Sequence, residues 1–148
     1  MKTSRVPELD TKVLDFLNKH RICAMSTLLK DGSPHVCALH YANSDKGEVY
    51  IMTEKSGKKS EALLSGKPGK ASFVTGFSDE EWVTLQMDGE VRAVLDKKEL
   101  LAIHEIYYKK NPGPEKYKND PGTLFLAFKP TWYRLTEYKP KFKVISSE

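Results

Sequence analysis

The segment Thr53-Glu54-Lys55-Ser56-Gly57-Lys58-Lys59-Ser60 concentrates residue types that hold an anion. It leaves an apolar run, passes a Ser-Gly turn and enters a short helix that closes at Gly66. Lys58 and Lys59 fall in the first turn of that helix. The free N–H groups there carry about half a positive charge, so acids are favoured and lysines are not. Two cations at that end make sense if an anion joins them. Phosphate binds well at helix N-termini, and Thr53 and Ser56 add hydroxyl donors. The same spacing also fits two solvated lysines at small cost, and the residues alone leave both readings open.

Other chemistries lack their residues. Met52 stands where a Walker A loop needs its first glycine, and no GxGxxG occurs. His35 and His40 are five apart on a strand, so they face opposite sides and do not chelate together. His104 lies in an apolar helix and reads as a satisfied packing histidine. Cys23 and Cys37 have no CxxC spacing and read as free, buried thiols in a reducing compartment. With four scattered histidines they supply no evident zinc set. No nucleophile–base pair is visible, so an organic cofactor must carry any redox chemistry.

The elements around this segment are mostly strands. A helix opens the chain, with Pro7, Glu8 and Asp10 at its start and Val13, Leu14, Phe16 and Leu17 on its apolar face. Residues 22–29 form a strand, and Asp31-Gly32 marks a two-residue hairpin turn with positive φ at both positions. Residues 35–42 return, 43–47 turn, and 48–53 form the third strand. Residues 71–77 form the fourth. From 82 to 96 the period is two: Val83, Leu85, Met87, Val91, Ala93 and Leu95 share one face, and Thr84, Gln86, Asp88, Glu90 and Arg92 the other. Gly89 at its centre marks a bulge or bend, and a long bent strand is what closing a small barrel requires. Asp96 then caps a helix, with Glu99 answering it and Leu100, Ile103, Ile106 and Tyr107 as its buried stripe. Residues 123–128 and 132–138 read as a closing pair of strands, and the tail from Lys139 as frayed.

The chain has 148 residues, 39% hydrophobic and 30% charged, which fits one ordinary globular domain spanning residues 1–148. The opening residues show no apolar signal-peptide core, and no run approaches the length of a membrane helix, so a cytoplasmic location is expected. The net charge of +4 is almost all lysine. Arginine is the usual tool for reading bases, so sequence-specific DNA recognition is not expected. An OB-like barrel binding single-stranded nucleic acid through lysines and tyrosines (Tyr107, Tyr108, Tyr117, Tyr138) is the non-catalytic alternative.

The order of these motifs resembles a known family. An apolar strand leads to Asp31-Gly32-Ser33-Pro34-His35-Val36, and Val49-Tyr50-Ile51-Met52-Thr53 runs into Ser56-Gly57-Lys58-Lys59. Then come Gly89-Glu90-Val91 and Lys129-Pro130-Thr131-Trp132-Tyr133-Arg134. From Val13 to Tyr138 the chain resembles the FMN-binding split-barrel family related to pyridoxamine 5'-phosphate oxidase. The resemblance implies an α+β, mainly β fold: an antiparallel split barrel of six to seven strands with flanking helices. It implies a homodimer with FMN at the interface and an oxidoreductase acting on a small molecule; some relatives use F420 or haem instead. It implies that Thr53, Ser56, Lys58 and Lys59 hold the phosphate and that the backbone of Cys37, Ala38 and Leu39 lies against the ring. Thr84 and Gln86 would face the cofactor or the partner subunit, and Trp132 would lie near the ring. Cys37 stands where the true oxidases carry a phosphate-binding arginine. Tyr133-Arg134-Leu135-Thr136-Glu137 replaces their substrate signature, so pyridoxamine phosphate oxidation itself is not expected.

Overall fold

A computed structural model of the protein describes residues 7–147; the opening segment read for a leader peptide lies largely outside them. Helix α1 (Thr11–Lys19) starts where Asp10 accepts a hydrogen bond from the Lys12 amide at 2.8 Å. Its buried Val13, Phe16 and Leu17 plug the barrel. The strands are β1 (Ile22–Leu28), β2 (Pro34–His40), β3 (Ala42–Asn43), β4 (Val49–Glu54), β5 (Gly69–Thr75), β6 (Val83–Ala93), β7 (Thr123–Glu137) and β8 (Lys143–Ser146). Helices α2 (Lys58–Glu61) and α3 (Lys97–Lys110) lie between them. One sheet runs in the order β2-β1-β5-β6-β7-β4-β3, with β8 added to β7, and every pairing is antiparallel. The seven expected runs become six, because the two closing runs are one strand, and the short β3 and the C-terminal β8 bring the total among the described residues to eight.

The barrel is split between β2 and β4. After His40, still paired with Ile22, the chain passes Tyr41 and pairs Ala42 with Tyr50 at the opposite end of the sheet. Tyr41 pins this crossing: its hydroxyl donates to the Leu17 carbonyl at 2.7 Å and its amide to the Arg21 carbonyl at 2.9 Å. Two apolar clusters result. Met25, Ile51, Phe73, Leu85, Met87, Leu126 and Phe128 fill the barrel. On the outside, Ile103, Tyr107 and Tyr108 of α3 pack on Tyr50, Phe125 and Ala127. The first half of β7 is therefore buried on both faces, which accounts for its unbroken apolar run.

Several expectations are corrected. The first hairpin turns through Lys30-Asp31-Gly32, and Gly32 alone takes positive φ (+85°). The Asp31 carboxylate accepts from the Ser33 amide at 2.9 Å, which holds the preceding turn in an ordinary conformation. Helix α2 ends at Glu61, before Gly66. Leu95 is 57% exposed, because β6 ends at Ala93 and Val94 turns away to bond the Phe125 carbonyl. The expected closing pair of strands is one strand, β7. The bulge lies on it, at Thr131, since Asp88 pairs with Trp132 and Gly89 with Pro130. Proline is tolerated there because a bulge releases its neighbour from the ladder. The tail is not frayed: β8 pairs with Arg134 to Glu137, filling the edge that β4 leaves open beyond Phe128.

Candidate functional site

A groove of about 630 Å³ opens beside the split, between β4, the end of β2 and the connection from α3 to β7. His40, Met52, Thr53, Ser56, Tyr107 and Tyr117 are among its lining residues. Thr53 and Ser56 are thus brought together as expected from their spacing. The sequence reading places Tyr107 and Tyr117 only in the nucleic-acid alternative and His40 in no site. The one sequence signal was a tyrosine, residue 107, at a buried position of α3, where its polar tip needs an outlet. Burial pushes the Tyr107 phenol up to about 12, so it stays protonated and available as a donor.

The loop Glu54-Lys55-Ser56-Gly57 turns tightly into α2. The Gly57 amide bonds the Glu54 carbonyl at 3.1 Å, and the Ser60 hydroxyl donates to the same carbonyl at 2.6 Å. A β-carbon on Gly57 would lie 3.2 Å from that carbonyl oxygen and 3.8 Å from Lys59 Nζ. Lys59 is 9% exposed, and among the described residues it has no ion pair or hydrogen bond through its side chain. Lys58 is exposed and lies toward the first hairpin, where its charge adds to the Ser33 hydrogen bonds that hold the Asp31 carboxyl below its usual range. Neither lysine is among the groove's lining residues.

Along β2, Cys37 and Leu39 are half-buried and Ala38 is exposed, as strand alternation requires. Cys37 is therefore not the buried thiol expected; its Sγ lies 3.6 Å from His35 Nε2. Cys23 is buried, which pushes its thiol up to about 12. His104 packs on Tyr108 and Phe125, yet among the described residues its buried Nε2 has no hydrogen-bond partner. It is a packing histidine but not a satisfied one, and burial lowers its pKa.

Thr84, Gln86 and Trp132 belong to the outer face of the sheet, opposite the buried Leu85 and Met87. Gln86 and Trp132 line a shallow pocket of about 300 Å³ with Ala24, Ser26, Val36 and Ser72. Within one chain this pocket and the Thr53–Ser56 groove share no lining residue.

An antiparallel barrel split beside a strand–turn–helix loop with a buried lysine defines a PNPOx-like split barrel. The family model described as pyridoxamine 5'-phosphate oxidase matches residues 9–137, and the chain belongs to that family. No curated protein matches it in sequence. Among similar solved structures is the conserved hypothetical protein Rv2991 from Mycobacterium tuberculosis, with TM-score 0.71 and 19% identity over 93% of this chain and 91% of that one. A FAD-binding protein from Mesorhizobium loti has TM-score 0.62 and 19% identity over 86% and 94%. A heme binding protein from Mycobacterium smegmatis has TM-score 0.71 and 11% identity over 94% of this chain but 59% of its own. At these identities the likeness is one of fold. Among the described residues no helix is long and apolar enough to cross a membrane.

Proposed function

We propose that the protein binds FMN at the split of the barrel and works as an oxidoreductase on a small molecule. The observation that carries this reading is Lys59. Lys59 is 9% exposed as a residue and its side chain has no ion pair among the described residues, so a bound phosphate would give its charge a partner. Thr53 at the end of β4 and Ser56 in the turn that follows stand nearby as hydroxyl donors. In this reading Thr53, Ser56, Lys58 and Lys59 hold the phosphate. The backbone of Cys37, Ala38 and Leu39 borders the ring, and Tyr107 donates a hydrogen bond from α3. The flavin, when bound, supplies hydride or electron transfer, and the chain's residues fix its position and exclude water.

The reading includes a homodimer. Val36, 64% exposed, and the small residues Ala24, Ser26 and Ala38 form an outer sheet face with Gln86 and Trp132. Pairing this face with a second copy would cover it and bring the partner's Gln86 and Trp132 toward the ring.

The test is spectroscopic. Titrating the purified protein with FMN should shift and quench the flavin bands with saturation in the micromolar range. Saturable binding of haem or F420 with none of FMN would keep the site and replace the cofactor. No saturation by any of them would overturn the reading.

A further inference from the structure

A second cleft, of about 420 Å³, opens between the end of α1, the start of β1, the end of β2 and the connection from β5 to β6. Its titratable lining residues are Lys19, His20, Arg21 and His40, and among the described residues no carboxylate lines it. His40 also lines the Thr53–Ser56 groove, so the two spaces meet at that residue.

Glu81 engages two of these bases, at 3.2 Å from Lys19 Nζ and 3.3 Å from His20 Nε2. Arg21 is left over. Its carbonyl accepts from the Tyr41 amide at 2.9 Å, and the next carbonyl, of Ile22, accepts from the Thr75 hydroxyl at 2.6 Å. The backbone is thus held on both sides, yet among the described residues no carboxylate pairs with the guanidinium. Its charge reaches the neighbouring groove. Burial governs both Tyr107 and Lys110, raising the first and lowering the second, and the Arg21 guanidinium lowers both as well. Beside it lies apolar surface: Ile22 is 50% exposed and Phe77 59%. Just past β5, Gly76 takes φ +96°, a turn that leaves Phe77 in the wall of the cleft.

We propose that this cleft binds a small aromatic anion, a carboxylate or a phosphate ester, with its charge on Arg21 and its ring on Ile22 and Phe77. A guanidinium presents paired N–H donors that match either anion and a flat face that suits a ring. With the lining residues all basic or uncharged, the cleft repels cations and leaves a neutral ring only its apolar contact. A ligand seated there meets the groove at His40.

The experiment titrates the whole protein with benzoate, phenyl phosphate and benzyl alcohol, following the amides of residues 20–22 and 77 by NMR. Both anions should saturate on the order of millimolar, and benzyl alcohol should bind at least about tenfold more weakly. Arg21→Gln should weaken both anions about tenfold or more, to the level of the alcohol. Phe77→Ser should weaken all three. Both side chains are exposed, so the variants keep the fold, and the rest of each spectrum verifies it. Equal affinities for benzoate and benzyl alcohol, or anion affinities unmoved by Arg21→Gln, would overturn the proposal. Phenyl phosphate weakened by Lys59→Met and not by Arg21→Gln would overturn it too, by placing the anion at α2. Benzoate that needs Arg21 in a protein that takes no FMN would uphold the cleft and remove the flavin reading alone.

Discussion

The carbonyl of Lys129 occupies the space that a β-carbon on Gly89 would need. A methyl there would also come within 2.9 Å of the Lys129 carbonyl carbon and 3.0 Å of Pro130 Cα. These are backbone atoms, fixed on both sides by the β6–β7 ladder and by the bulge at Thr131. Gly89→Ala should therefore force the two central strands apart at the bulge. The expected loss is about 1–3 kcal/mol, the usual cost of overpacking, read by equilibrium urea unfolding. An unchanged midpoint would mean that the bulge relaxes freely.

Arg92 and Glu99 form a two-point ion pair, at 2.7 and 2.6 Å, tying the end of β6 to the first turn of α3. The Arg92 hydrogen bonds hold the Glu99 carboxyl below its usual range. Glu99 therefore contributes stability that is complete above the ordinary carboxylate value and is lost as pH falls through its lower folded value. Both side chains are about a third exposed, so the contribution is at most about 1 kcal/mol. Glu99→Gln should remove it at neutral pH and flatten the acid limb of the stability curve. Parallel curves for the two proteins would contradict the assignment.

Much of the barrel was legible in residues 82–96, where strict alternation and one buried face leave a single register. The join at Pro130 was not legible, because proline reads as a break unless the partner strand is known to offer a glycine opposite it. The β8 strand was hidden for a related reason: Lys143 to Ser146 has no strong pattern, and its pairing follows from an edge that only the assembled sheet exposes. At the site, Thr53 and Ser56 share a groove because the short run from β4 into the Ser-Gly turn carries both, while Lys59, on the next turn, does not line it. His40 and Tyr117 were not legible there, since the split brings the end of β2 near the α3–β7 connection, a contact no local spacing encodes.

Lys110 gives stability an alkaline signature. Its folded value of about 8 lies below the ordinary lysine value of 10.5, so the unfolded chain binds the extra proton between them. Stability from this group is full above the unfolded value and is lost as pH falls through about 8. The difference in unfolding free energy between wild type and Lys110→Met should therefore grow in favour of wild type from pH 8 upward. A pH-independent difference would show that the amine is as well solvated folded as unfolded.

The outer sheet face offers a direct test of the homodimer. Val36→Glu puts a charge at the centre of the apolar part of that face, on a side chain already 64% exposed in one chain. Monomer folding should survive with a change within about 0.5 kcal/mol. Sedimentation should move from a dimer to a single species near 16.8 kDa. A wild-type protein that already sediments as that species would remove the dimer from the reading.

Lys59 should behave in opposite ways with and without ligand. In the free protein its side chain has no ion-pair partner among the described residues and its stem is covered, so Lys59→Met should leave stability unchanged or raise it. With FMN the same change removes a charge-assisted contact to phosphate worth on the order of 1.5–3 kcal/mol, roughly a ten- to hundredfold loss of affinity. Lys58 is exposed and lies toward Asp31, so Lys58→Ala should lose less. Riboflavin lacks the phosphate, and its weaker binding should be nearly indifferent to both changes. Calorimetric titration of FMN and riboflavin into wild type and the two variants separates the cases. Equal losses for both ligands would make the lysines supports of the loop. An FMN affinity untouched by Lys59→Met would move the phosphate away from α2 altogether.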